Sequence, residues 1–153
     1  MEVFNSDCAF ECDRGGGSAL LDQLLVAGRR IGAIAVDDAH FYQAEAPGGW
    51  VMVKAAENDP DALVESLKAG TYYSSQGPEL RNIVVTDDEI VVESSSVVSM
   101  IVQAQGNTAK AVHGLSMTRS SIELHKFAAS PWVRVTVIDA AGKRAWSNPI
   151  WLD

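Results

Sequence analysis

The chain has 153 residues, of which 47% are hydrophobic and 21% charged, a balance that is typical of a folded globular protein and excludes a disordered one. Its net charge is −8 at pH 7 and it has no run of lysine and arginine, so we expect no binding to nucleic acid or to an anionic membrane. No apolar run approaches the roughly 20 residues that span a bilayer. The amino-terminal residues lack the charged and apolar regions of a signal peptide, and we therefore expect a cytoplasmic protein.

The amino-terminal part of the chain predicts a strand, a helix and a second strand. The first strand is predicted at Glu2–Asn5. A helix follows, capped by Ser18 and ended by Gly28, because Ser is a favoured N-cap and Gly is common just past a helix. Its apolar stripe comprises Leu20, Leu21, Leu24 and Leu25. The apolar run at residues 32–36 predicts the second strand, and such a unit makes its two strands parallel.

A further strand and helix are predicted before residue 70. After a connector at residues 43–49 that contains Pro-Gly-Gly, residues 50–55 favour a strand. Asp59 is then a good N-cap, Pro60 suits the first helical position, and Gly70 suits the end of the helix. The apolar stripe of this helix comprises Leu63, Val64 and Leu67. These signals delimit the helix more clearly than any other element of the sequence.

Beyond residue 70 the pattern changes to short runs rich in β-branched residues, separated by turn signals. The runs lie at residues 83–85, 90–93, 97–104, 121–126, 132–139 and 150–152. Several short strands at such spacing indicate an antiparallel β-sandwich. We therefore predict an α+β chain with two parts, an α/β part over residues 1–70 and a β-sandwich over residues 71–153.

Two acids and a histidine follow the strand predicted at residues 32–36. Alternate strand residues share a face, so Asp38 and His40 should project together while Asp37 faces the other side and makes a structural hydrogen bond. Parallel α/β folds place ligands at the carboxyl ends of their strands, which makes Asp38 and His40 candidate metal ligands. Alternatively, Asp38 caps a turn and His40 is satisfied by hydrogen bonds. Asn5 ends the first strand and either lines the same site, as Asp37 could, or forms a turn.

Two other features have competing interpretations. Cys8 and Cys12 lie in a predicted acidic loop, where we expect free thiols; a local disulfide and a metal site are the alternatives. The glycines at residues 15–17 precede a helix and could cradle a phosphate. They lack the Lys and Ser/Thr of a P-loop, which favours a flexible loop instead.

Several motifs in order along the chain resemble one known family. They are Glu-Val-Phe-Asn at residues 2–5, the segment at 21–30 that closes with Gly-Arg-Arg, Val-Asp-Asp-Ala-His at 36–40, Gly-Trp-Val-Met-Val at 49–53, Ala-Gly-Thr-Tyr-Tyr-Ser-Ser-Gln-Gly-Pro-Glu at 69–79 and Arg-Ala-Trp-Ser-Asn-Pro-Ile-Trp-Leu at 144–152. Together they resemble the C-terminal portion of the PHP (polymerase and histidinol phosphatase) superfamily of metal-dependent phosphoesterases. The resemblance is closest to bacterial members of the superfamily whose barrel is followed by a small β-domain.

The resemblance has direct implications for fold and site. In that superfamily a distorted (β/α)7 barrel holds divalent metals that hydrolyse phosphoesters, with mostly His, Asp and Glu as ligands. Residues 1–70 would then be a partial βαβ remnant of the barrel, followed by a small antiparallel β-sandwich, and Asp38 and His40 would bind Mn²⁺, Zn²⁺ or iron. The chain matches only this final ligand motif of the family. The opening His-x-His motif is absent, and the other histidines, His113 and His125, lie in the β-rich part.

Three hypotheses for function follow. Two ligands on one strand cannot hold a multinuclear metal cluster, so we expect metal binding to be weak or absent and the phosphoesterase fragment to be incompetent alone. A non-enzymatic β-sandwich module that binds a ligand or a protein is the alternative. An enzyme completed by a second chain that supplies the missing barrel strands is the third hypothesis. We also expect a homodimer or larger assembly, because the strands at Val3 and Ala35 would lack their barrel neighbours.

Overall fold

The computed structural model describes residues 1–40 and 46–152, and it confirms a mixed α+β architecture dominated by an antiparallel sheet. The helices in these ranges are α1 Ser6–Cys12, α2 Ser18–Val26 and α3 Pro60–Ala69, with a 3₁₀ turn at Leu124–Phe127. The strands are β1 Glu2–Asn5, β2 Ile34–Val36, β3 Trp50–Val53, β4 Tyr72–Ser75, β5 Leu80–Val85, β6 Glu89–Ala104, β7 Ala109–Glu123, β8 Trp132–Ile138, β9 Arg144–Ser147 and β10 Ile150–Trp151.

Strands β1 and β2 form a small two-stranded parallel sheet, as predicted from the strand–helix–strand pattern. Asn5, the last residue of β1, is paired with Val36, the last residue of β2. The two strands therefore end at the same edge, and the residues that follow them start from neighbouring positions.

The two helices predicted from capping signals are both present, with smaller buried faces than expected. In α2 only Leu21 and Leu25 are buried, and Ser18 is the first helical residue after the N-cap position, which Gly17 occupies without a side-chain hydrogen bond. The Oδ1 atom of Asp59 accepts hydrogen bonds from the first turn of α3, and Gly70 ends that helix in the left-handed conformation. No side chain of α3 is buried, so its apolar stripe lies at the surface.

The remaining strands form one eight-stranded antiparallel sheet. Its strand order is β3-β4-β9-β8-β6-β5, with β7 paired to β6 and β10 paired to β8. The runs predicted as separate strands at 90–93 and 97–104 belong to the single long strand β6, whose register shifts between Glu93 and Ser99. The first half of β6 pairs with β5 and the second half with β8, while β7 pairs with both halves. A sheet of this kind is compatible with the predicted β-sandwich.

Strands β4 and β9 of this sheet were not predicted, and β7 was predicted in the wrong place. Strand β7 begins at Ala109, well before the run at 121–126, and the chain turns into a 3₁₀ helix at Leu124. Most of β7 is exposed and polar, so its sequence lacks an apolar run. Strand β9 is short and buried, and it lies between β8, which precedes it directly, and β4, which is distant in the sequence.

The small parallel sheet packs directly on the large one. Trp132 of β8 and Trp146 of β9 share a buried cluster with the amino-terminal elements, whose members are Val3, Leu21, Leu25, Ala33 and Ala35. Val3 is 1% and Ala35 2% exposed, so these strands are covered within the chain, contrary to the exposure from which self-association was inferred. Strand β3 also pairs with β4 across residue 70. The homo-oligomer and the division at residue 70 both stay predictions.

Polar side chains fix β2 against the large sheet. The Oδ1 atom of Asn148 accepts a hydrogen bond from the Ala33 amide at 2.8 Å, and its Nδ2 donates to the Gly70 and Tyr72 carbonyls. The Ser74 hydroxyl donates to the Ala33 carbonyl at 2.9 Å. These bonds satisfy backbone groups beside a two-stranded sheet, and they hold the start of β2 in a defined position.

A bidentate ion pair joins α2 to the sheet. Arg134 of β8 donates through Nε and Nη2 to the two carboxylate oxygens of Asp22, at 2.6 and 2.7 Å. Arg134 is 3% exposed and Asp22 31%. The Nη1 atom of Arg134 also donates to the Thr136 hydroxyl, so a nearly buried guanidinium depends on a single carboxylate for its counter-charge.

None of the helices in the described ranges combines the length and the apolar character that crossing a bilayer requires. The first part of the connector predicted at residues 43–49 lies outside the described residues.

Replacement of Asp22 by Asn should destabilise the protein measurably. Loss of the counter-charge leaves Arg134 buried, although the amide oxygen can still accept one hydrogen bond and Asp22 is partly exposed. We expect a loss of about 2 kcal/mol in the free energy of unfolding, measured by urea denaturation. The matched control is Glu79→Gln, which breaks the exposed pair with Arg81 and should change stability by less than about 1 kcal/mol. Equal effects of the two variants would contradict the structural role of the Asp22–Arg134 pair.

Candidate functional site

The candidate site lies at the edge where β1 and β2 end. Helix α1 begins immediately after Asn5, so Asp7 and Cys8 belong to its first turn. Asp37 and Asp38 follow the end of β2. Because Asn5 and Val36 are paired in the sheet, these four side chains start from one edge of the parallel pair, which is where such sheets carry ligands.

Asn5 is the residue that organises this edge. Its Oδ1 atom accepts a hydrogen bond from the Cys8 amide at 2.8 Å and so caps α1. Its Nδ2 atom donates to Asp38 Oδ2 at 3.1 Å and to Glu2 Oε2 at 3.2 Å. The sequence left Asn5 as either a site-lining or a turn-forming residue. In the structure one buried amide caps the helix and orients the Asp38 carboxylate.

Helix α1 was missed in the sequence, where its residues were expected to form an acidic loop. The helix is short and none of its residues is buried, so it has no apolar stripe. Two local signals were nevertheless present: Asn5 is a favoured N-cap, and Asp7 places a negative charge in the first turn. Cys8 and Cys12 are both free thiols, as expected.

Asp37 and Asp38 leave the strand in different directions. The Oδ1 atom of Asp37 accepts hydrogen bonds from the amides of Gly48 and Gly49 at 2.6 and 2.8 Å, which is the structural role that was expected for it. Its carbonyl accepts from the Asp7 amide at 3.0 Å and joins β2 to α1. Asp38 has a φ of +54°, in the left-handed region. The strand has therefore ended, and strand alternation no longer relates Asp38 to His40.

The side chains that could bind a metal together with Asp38 are those of Asp7 and Cys8, whereas the predicted partner was His40. Ligand atoms of Asp7, Cys8 and Asp38 all lie within 4.8 Å of one another. Asp7 and Cys8 are half-buried, and Asp38 is exposed. His40 is also exposed and is not a member of this trio. The predicted site residue Asp38 thus has two neighbours that the sequence did not connect with it, because the helix that brings them was not recognised.

The electrostatic environment of the trio disfavours the thiolate. Partial burial raises the pKa of Cys8 above its ordinary value of 9.0, and the negative charges of Cys12, Asp7, Asp38 and Glu2 raise it further. At neutral pH the thiol is therefore protonated beside two carboxylates. A divalent cation would reverse this balance, since it stabilises the thiolate and neutralises the acids. Two carboxylates and one thiol are a donor set that fits Zn²⁺ and similar ions.

The glycines at residues 15–17 have a packing role at this site. The backbone N–H of Gly17 donates a hydrogen bond to the Val3 carbonyl, and the backbone N–H of Asn5 donates one to the Gly15 carbonyl. This segment therefore runs along the outer edge of β1, where a Cβ on Gly15 or Gly17 would collide with the backbone of β1. It also lines a cleft of about 560 Å³ beside Cys8. Close backbone approach explains these glycines better than a phosphate cradle or a flexible loop.

Comparison with protein-family models, with curated proteins and with solved structures gives no match for this chain. The resemblance to the PHP superfamily therefore depends on the sequence motifs alone. Membership of that family stays a prediction.

The pKa of Cys8 gives a test of the arrangement. In a Cys12→Ser background, the rate of alkylation by iodoacetamide should rise with a midpoint above pH 9, because only the thiolate reacts. Asp7→Asn and Asp38→Asn should each lower the midpoint, since each removes a negative charge that disfavours the thiolate.

The control for this titration is Asp13→Asn, which removes a carboxylate from the same segment but not from the charges that act on Cys8. It should leave the midpoint unchanged. An equal shift in all three variants, or none in any, would contradict the proximity of Asp7 and Asp38 to the thiol.

Proposed function

We propose that this chain corresponds to the C-terminal portion of a PHP-like metal-dependent phosphoesterase, binds one divalent cation, and is not catalytically competent alone. The observation that carries the proposal is the cluster of Asp7, Cys8 and Asp38 at the carboxyl ends of two parallel strands. Asp38 also belongs to the Asp-x-His motif on which the family resemblance depends. The cluster and the motif thus both favour Asp38 as a metal ligand.

The donor set suits a single metal ion. Zinc sites with three protein ligands keep a further position for water, and carboxylate with thiolate is within the ligand range of zinc and iron. Asp7, Cys8 and Asp38 would be the ligands, with Asn5 holding Asp38 through its Nδ2 hydrogen bond. When bound, such an ion lowers the pKa of a water molecule and polarises a phosphoryl oxygen.

A lone cluster does not support multinuclear phosphoester hydrolysis. That reaction needs metals that contact both the attacking and the leaving oxygen. Within residues 1–40 and 46–152, the Asp7–Cys8–Asp38 trio is the one group of three close ligand-type side chains. His113 lies on β7, and His125 is in the 3₁₀ turn beside Glu123. Neither histidine belongs to the trio.

Completion by a second chain has less support. A partner strand that extended the barrel would pair with the outer edge of β1, and that edge already bonds to the segment at residues 15–17. The partner would have to displace this segment. Self-association has a different basis, since Phe10, Leu20 and Val26 are large apolar residues exposed on or beside α1 and α2. We retain a homodimer as part of the proposal.

A non-enzymatic binding module is the second candidate function. One observation favours it: an apolar cleft of about 480 Å³ lies on the large sheet, lined in part by β3, β4 and β5. Clefts of this size commonly accept small molecules. This candidate does not need the metal cluster.

Metal binding is testable with Co²⁺, whose bonds to thiolate give a charge-transfer absorption in the near ultraviolet. Titration should produce this band with a stoichiometry of one, and Cys8→Ser should abolish it. Asp38→Asn should weaken binding, and Asn5→Ala should weaken it by about tenfold or more through loss of the orienting hydrogen bond. His40→Ala should change the affinity by less than about threefold, because His40 is not part of the trio.

The matched control is Cys12→Ser, which removes the other cysteine of α1 and should leave the Co²⁺ band intact. A band that disappears in Cys12→Ser but persists in Cys8→Ser would assign the ligand to the wrong cysteine and contradict the proposed site.

The proposal also predicts the outcome of a phosphatase assay. The purified chain should not hydrolyse p-nitrophenyl phosphate above the rate of the metal-containing buffer, with either Mn²⁺ or Zn²⁺ present, because a single ion does not contact both reacting oxygens. Metal-dependent turnover that is lost in Asp38→Asn would show that the chain is competent alone, and this part of the proposal would be wrong.

A further inference from the structure

The two ends of the large sheet meet at one cleft. The path of paired strands begins at β3 and ends at β5. Met52 of β3 and Leu80 of β5 nevertheless line the same cavity, whose volume is about 480 Å³. The sheet is therefore curled enough that its two terminal strands line a single opening. That opening is separate from the Asp7–Cys8–Asp38 trio, which contributes none of its lining.

The floor of this cleft is apolar and held by the protein core. Leu80 is buried and belongs to the main core cluster. Tyr73 and Ile83 are half-buried, line the cleft and pack against the same cluster. Because the core holds these side chains in place, they form a preformed surface. An apolar ligand that binds there loses little free energy in ordering the site.

The rim of the cleft is positively charged, although the protein as a whole is acidic. The charged residues among its lining are Lys54 and Arg81, both cations, in a chain with a net charge of −8. Arg81 pairs with Glu79 at 3.0 Å, which offsets its charge. The Lys54 ammonium makes no hydrogen bond or ion pair with another described residue. Lys54 thus supplies an uncompensated positive charge beside an apolar floor.

We propose that this cleft binds an organic carboxylate with an extended apolar body, whose carboxylate contacts Lys54 and whose hydrocarbon part lies on Tyr73, Leu80 and Ile83. The inference goes beyond the proposed metal site and does not depend on it. The positive charge of the rim favours a ligand with an anionic group, and the apolar floor favours a ligand with a hydrocarbon chain. A neutral or cationic amphiphile would use the floor alone, without Lys54.

The experiment uses decanoate as the probe and decyltrimethylammonium as its cationic counterpart of equal chain length. Binding to the full chain is measured by isothermal titration calorimetry, without added metal. Decanoate should bind with a stoichiometry of one, and octanoate should bind more weakly by about two- to fourfold for each methylene removed. Decyltrimethylammonium should bind at least tenfold more weakly than decanoate, although the net charge of −8 favours the cation.

The variant Lys54→Glu should weaken decanoate binding by about tenfold or more, and Lys54→Gln should have a smaller effect in the same direction. The matched control is Lys143→Glu, which makes the same charge change in a turn that does not line the cleft, and it should alter affinity by less than about twofold. Unchanged urea midpoints would establish that each variant is folded. Equal affinity for the two probes, equal effects of the Lys54 and Lys143 variants, or no decanoate binding would each overturn the proposal.

Discussion

The placement of two tryptophans under a two-stranded parallel sheet is the constraint on which the rest of the molecule depends. A pair of strands as short as β1 and β2 is not stable by itself in water. Here its buried residues pack in one cluster with Leu21 and Leu25 of α2 and with Trp132 and Trp146 of the antiparallel sheet. Phe4 of β1 also stacks on Trp146, with ring centroids 6.2 Å apart. The candidate metal cluster follows the ends of these two strands, so its position depends on the packing of the two sheets.

Much of the local structure could be predicted because its signals are local. The Asp59-Pro60 start and the Gly70 end of α3 depend on hydrogen bonds and backbone angles within the helix itself. Strand β8 and the parallel pairing of β1 with β2 follow from apolar runs and connection length. By contrast, β7 is held by its ladder with β6, and the short β9 is held by the distant β4 as well as by the neighbouring β8, so neither has a distinctive pattern. Residues 94–96 lie between two runs that were predicted as separate strands, but β6 continues through them with a shift in register.

Of the three residues in the Asp7–Cys8–Asp38 trio, the sequence had singled out only Asp38 as a candidate ligand. Asp38 was identified from its place after an apolar strand, and the structure brings it to Asn5, as one interpretation expected. His40 was grouped with it on the assumption that the strand continued, but the left-handed backbone at Asp38 ends that alternation. Asp7 and Cys8 approach Asp38 from a helix about 30 positions earlier in the sequence, and no spacing rule connects residues across such a separation.

The Asp37 carboxylate has a consequence for how the chain can vary. By accepting hydrogen bonds from Gly48 and Gly49, it ties the end of β2 to the start of β3, on both sides of the connection between His40 and Ala46. Loop closure depends only weakly on length, at about 0.6 kcal/mol for each doubling. The anchor itself is made by Asp37, Gly48 and Gly49, so a change in the number of residues between its two ends would alter the closure entropy little and would remove none of its hydrogen bonds.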